Sequence, residues 1–133
     1  MKEELKKKTG SVYCRIALDR ELAICTAEWI GYTGSEYLRQ GMDHLLELFA
    51  LHHPRLALHD LCENKGPWQN DAPWIAEHHV PMAKLLGIER TALVVSKDIF
   101  SALSARQYEQ EANHDFKSFP TVEEARSWLL GGQ

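Results

Sequence analysis

No stretch of the 133-residue sequence approaches the roughly 18–20 consecutive apolar residues of a membrane-spanning helix. Residues 1–9 lack the apolar core of a secretory signal, so the chain is expected in the cytoplasm. There is no basic excess either. Fifteen Lys and Arg face 19 Asp and Glu, a net charge of −4, which argues against a nucleic-acid partner. Cysteine is sparse. Cys14, Cys25 and Cys62 are too few and too widely spaced for a disulfide framework or a zinc knuckle. Internal repeats and low-complexity tracts are absent, and no linker divides the chain. With 44% hydrophobic and 26% charged residues, a chain of this length can bury a core as one domain.

Histidine is the one abundant titratable type: His44, His52, His53, His59, His78, His79 and His114. None has the i,i+4 spacing of a helical metal pair, as in H-E-x-x-H, so no metal and no cofactor is expected. His59, His78 and His114 are the three that could converge in space. Cys14 and Cys25 read as small buried residues on neighbouring strands. Cys62 reads as an exposed loop thiol near Lys65, and a reactive thiolate would need such a positive neighbour.

Residues 1–10 read as a charged, flexible leader, with Lys6, Lys7 and Lys8 balanced by Glu3 and Glu4. Val12, Cys14, Ile16 and Leu18 alternate with other residues, the period of a half-buried strand. A second strand over 22–30 follows after so short a connection that the two must form an antiparallel hairpin. Gly31-Tyr32-Thr33-Gly34-Ser35 opens a long helix to about Leu51. Thr33 and Glu36 there have capping-box spacing. Leu38, Met42, Leu45, Leu46 and Phe49 form its apolar stripe, and Pro54 ends it. A short strand over 56–59 runs into Asp60 and an irregular loop over 61–70. A second helix holds Trp74, Ile75, Val80, Leu85 and Leu86, with a kink expected at Pro81 and a stop at Gly87. Thr91 to Val95 reads as a central strand covered on both faces. A helix over 99–110, a strand over 116–119 and a final helix from Thr121, capped with Glu124, complete the order. Alternating strands and helices predict an α/β sandwich on a five-stranded, mixed and mostly parallel sheet with about four helices.

Ligands of open α/β sheets bind beyond the carboxyl ends of the parallel strands. The loops there offer Tyr32, Thr33, Ser35, Asp60, Lys65, Trp68, Trp74, Ser96 and Lys97 as candidate ligand-binding residues. Gly31 to Ser35 ends in neither a Walker loop nor a dinucleotide fingerprint. Asp60, Ser96 and Lys117 suggest a degenerate phosphoacceptor receiver. The acidic residues such a site needs, Asp19 and Glu21, fall in the hairpin turn instead. There is no G-x-S-x-G elbow and no evident carboxylate pair. No catalytic residue is therefore assigned.

The ordered set of segments resembles the bacterial SpoIIAA-like proteins of the STAS/CRAL-TRIO type over about residues 11–130. The matching points are the hairpin from Tyr13 to Ile24 and the run Trp29-Ile30-Gly31-Tyr32-Thr33-Gly34-Ser35-Glu36 leading to Met42. They continue with Asp60, Trp74-Ile75, Ala92 to Val95, Asp98 to Phe100, Phe119, Thr121, Ala125, Trp128 and Leu129. The resemblance implies a βα sandwich of the anti-sigma-factor-antagonist type. The phosphoserine of that type sits in a D-S-[ST]-G loop. Here the loop from Asp60 to Trp68 has no serine or threonine, so the switch is not carried over. The resemblance implies a non-enzymatic regulatory or protein-interaction domain, with a protein partner or a homodimer. Its alternative is a cleft for an apolar or lipid-like small molecule, with peripheral membrane contact that the charge does not support.

Overall fold

The computed structural model describes residues 1–65, 71–96 and 115–131. Trp68, Lys97, Asp98, Phe100, His114 and the helix expected over 99–110 lie outside the described residues. Six strands form one sheet in the order β1-β2-β3-β5-β7-β8. They are β1 (Lys2–Lys6), β2 (Val12–Asp19), β3 (Ile24–Trp29), β5 (Leu56–Asp60), β7 (Arg90–Val94) and β8 (Phe116–Phe119). β1, β2 and β3 pair antiparallel, and the pairs from β3 through β8 are parallel. Two-residue strands β4 (Gly31–Tyr32) and β6 (Asn64–Lys65) pair beside the carboxyl end of the sheet.

β1 corrects the expectation of a flexible leader and makes the sheet six-stranded. Its sequence carries one apolar side chain, Leu5, which lies opposite Cys14 and packs on the core. The other four residues are charged, a composition that edge strands tolerate because their outer side faces water. Ladder hydrogen bonds use the backbone, so that composition concealed the strand. Glu3 and Glu4 are engaged as well, with His44 and Arg15 respectively.

The hairpin between β2 and β3 forms as expected, although its turn is longer. Leu22 and Ala23 belong to the turn, where Leu22 donates its N–H to Asp19 Oδ1. Ala23 sits at φ 57°. Its carbonyl accepts from the N–H groups of Arg55 and Leu56, and these bonds hold the strained residue in place.

Helix α1 (Gly34–His52) buries Leu38, Gly41, Met42, Leu45, Leu48 and Phe49. Gly41 lets it lie directly on Trp29, because a Cβ there would fall 2.7 Å from the indole. The expected capping box does not form at this end. Thr33 has helical backbone angles, and its hydroxyl accepts from Asn64 Nδ2 instead. Within the connection from β5 to β7, after β6, residues 72–85 form one bent helical segment. It comprises α2 (Ala72–Trp74), a π turn (Ile75–His79) and α3 (Val80–Leu85). Pro81 stands in the first turn of α3. Proline cannot donate the N–H that a continuous α-helix needs, and the wider π turn lies just before it. Helix α4 (Val122–Leu129) begins on Thr121, whose hydroxyl accepts from Glu124 N–H as its spacing predicts.

The sheet is packed on both faces. α1 and the bent segment cover Cys14, Ile16, Ala27, Trp29, Ala57 and Leu93. α4 covers Ile24, Leu58, Ala92, Val94 and Phe119. β7 thus contributes buried residues to both sides, which explains its unbroken apolar run.

Candidate functional site

The carboxyl-end loops meet, although as a structural clamp. Asn64 Nδ2 donates to Gly31 O at 3.3 Å and to Thr33 Oγ1 at 2.8 Å. Tyr32 pairs with Lys65 across β4 and β6, and the Tyr32 carbonyl accepts from Lys7 Nζ. Ser35 donates to Asp71 Oδ2 at 2.9 Å, while Arg39 Nε reaches Asp71 Oδ1 at 3.2 Å. Asp71 is buried, so these two donors tie the start of the bent segment to α1. Asp60 Oδ1 accepts from Cys62 N–H, the loop-initiating geometry of an Asx turn. Trp74 lies between Arg39, whose guanidinium is 5.1 Å from its ring centroid, and His78, whose ring centroid is 4.8 Å away. Ser96 is half-buried just beyond β7 and is engaged.

The receiver reading loses its acidic pair to the topology. Asp19 lies beside Ile24, which pairs with Leu56 at the start of β5, whereas Asp60 lies beside Glu28 at the end of β3. They occupy opposite ends of the sheet. Cys62 is exposed, yet its thiol is pushed up to about 11, first by burial of the sulfur and then by the Asp60 carboxylate. That is the reverse of a reactive thiolate. Burial likewise pushes Cys14 and Cys25 up to about 12, as fits small core residues.

The chemically distinct place is an apolar pocket on the α1 side of the sheet, with a cavity of about 70 Å³. Leu38 and Met42 come from α1, and Ile75, His79 and Ala83 from the bent segment. His59, Leu93 and Phe116 come from the sheet. The mouth carries Lys84, Glu89 and Asp115, all exposed. Lys84 pairs with Asp115 at 3.4 Å, and Glu89 with Arg55 at 2.6 Å. None of the described loop residues singled out from the sequence as candidate ligand contacts lines this pocket.

Two histidines set its polarity. His59 is only 5% exposed, and its Nδ1 accepts from Trp29 Nε1–H at 3.1 Å. That bond fixes the neutral tautomer with hydrogen on Nε2. Burial, followed by the neighbouring His79, pushes His59 down to about 3. His79 is 4% exposed and is pushed down to about 4, chiefly by burial. The Asp43 carboxylate and the Met42 backbone offset part of that shift. The two rings stand edge to face at 6.0 Å. His79 Nδ1 is buried with no hydrogen-bond partner among the described residues. Burying an unpaired polar atom costs free energy, so it calls for an explanation.

Of the three histidines expected to converge, His59 belongs to the pair and His114 lies outside the described residues. His78 is exposed and meets Asp43 at 3.1 Å. His79 was missed, although Ile75, His79 and Ala83 recur every four residues, the repeat of one helix face. Among the described residues, no group of three or more His, Cys, Asp or Glu is placed to hold a metal ion. No helix there is long and apolar enough to cross a membrane.

No family model matches the sequence, and no curated protein does. Among solved structures, the fold matches an uncharacterised protein of the DUF3478 family with a SpoIIAA-like fold from Shewanella loihica PV-4. The TM-score is 0.52 and the identity 20%, covering 97% of this chain and 92% of that chain. At that identity the likeness carries the architecture alone: this chain has the SpoIIAA-like fold.

Proposed function

We propose that the protein is a non-enzymatic regulatory domain that binds a small, largely apolar molecule in the pocket beneath the π turn. The observation that carries this reading is the pair of buried, neutral histidines in an otherwise apolar cavity. Binding pockets commonly combine apolar walls with a few fixed polar groups. π turns inside helices also occur often at functional sites. A ligand there would touch α1, the sheet and the bent segment together, so its arrival would be felt through the position of that segment. The pocket lies beneath the helices and reaches the loop after β5 through Leu61.

Methyl NMR of the purified protein during titration with neutral one-ring compounds tests this. Saturable shifts are expected at Leu38, Ile75, Ile88 and Leu93, and Ala83→Phe should abolish them by filling the space. Shifts spread over the surface, or none, would remove the reading.

A homodimer is favoured by a separate observation. Leu85 is 81% exposed and Met82 43%, three residues apart on α3. An apolar pair on the outer side of a helix suits contact with a second copy. Light scattering should then report a dimer for the native chain and a monomer for Leu85→Glu. A native monomer counts against the dimer.

A further inference from the structure

We propose that the pocket selects a compact neutral alcohol or phenol, its hydroxyl group against His79 and its apolar body toward the mouth. This rests on the pocket being a binding site and adds the chemical class of what it takes.

The first argument is the orphaned nitrogen. His79 lines the pocket, and its Nδ1 lacks a hydrogen-bond partner among the described residues. A neutral imidazole nitrogen is either a donor or an acceptor, depending on the tautomer. A hydroxyl group can serve either one, because it both donates and accepts. It can also accept from His59, whose Nε2 carries hydrogen once Trp29 has claimed Nδ1.

The second argument is charge. Both rings are held neutral by burial. An anion would lack a fixed positive partner inside, and at the mouth Lys84 is already paired with Asp115. A cation would meet apolar walls and donors, with no buried carboxylate among the described pocket residues. Ions of either sign would therefore be desolvated without compensation. A purely apolar molecule would fit the walls and leave Nδ1 unsatisfied.

The third argument is size. A cavity of about 70 Å³ is roughly half the ~150 Å³ of an engineered cavity that takes up benzene. It holds part of a single ring or of a short branched chain, with the rest of the body in the open mouth. A long acyl chain would lie mostly outside.

The test compares phenol, toluene and benzoate on the full chain by NMR, reading methyl shifts for affinity and ring-nitrogen shifts of His79. Phenol should bind at least tenfold more tightly than toluene, move the His79 nitrogens, and outcompete benzoate. In His79→Phe the preference for phenol should vanish while toluene still binds. Equal binding of phenol and toluene to the native chain, with unmoved His79 nitrogens, would overturn the hydroxyl selectivity and leave the pocket in place. A preference that survives in His79→Phe would do the same. Saturable binding by none of the three would remove the pocket reading itself. The native-chain nitrogen shifts decide the matter even if His79→Phe fails to fold.

Discussion

Lowering the pH from 7.5 to 5.0 is expected to destabilise the protein by several kcal/mol. Histidine in an unfolded chain titrates near its ordinary value of about 6.5. In the folded protein burial holds His59 down to about 3 and His79 down to about 4. Above 6.5 both states are neutral, and the shift has no effect on stability. Below it the unfolded chain takes up protons that the folded chain refuses. Stability therefore falls with pH until about 4 for His79 and about 3 for His59. At pH 5 the linkage amounts to on the order of 2 kcal/mol per histidine. Urea denaturation at the two pH values measures it. His79→Phe should remove about half of the loss. An identical loss in the native chain and the variant would show that other groups cause it.

Trp29→Phe is expected to cost about 2–4 kcal/mol, although it keeps an aromatic ring. Trp29 is fully buried, and α1 rests on it where Gly41 lacks a side chain. Phenylalanine is smaller, so a void opens under the helix. It also has no N–H, so the buried His59 Nδ1 loses its donor. The second cost depends on His59 being present. His59→Leu should therefore cost less in the Trp29→Phe background than in the native chain, by about 1 kcal/mol or more. Denaturant titration of the four proteins reads the difference. Simple additivity would mean that the hydrogen bond contributes nothing beyond packing.

Most of the architecture could be read from period and punctuation. The short β2–β3 connection dictates a hairpin, the stripe on α1 dictates its buried side, and the apolar run of β7 dictates a central strand. Where side chains compete with the backbone, the reading failed. Thr33 looks like a cap, but Asn64, 31 residues later, takes its hydroxyl. β1 is charged because it is an edge, and a charged run reads the same in a strand as in a solvated leader. The site was less legible still. Polar residues at the strand ends read as ligand contacts in sequence, and the structure uses most of the described ones as fasteners. His78 and His79 are adjacent and so project to different sides of a helix, His79 with Ile75 and Ala83. Only the packing of the bent segment buries one and leaves the other in water. The convergence of His59 with His79 is a tertiary fact, set by the route of the chain between β5 and β7.

The charged edge has a further consequence for colloidal behaviour. Open sheet edges invite another strand to add, and repeated addition leads to aggregates. β1 closes the rim of β2 and presents Lys2, Glu4 and Lys6 in its place. A chain trimmed to begin after Lys8 would expose β2 instead, with Cys14 and Ile16 beside an unpaired backbone. The residues that look most dispensable are therefore the fence that keeps one molecule's sheet from continuing into the next.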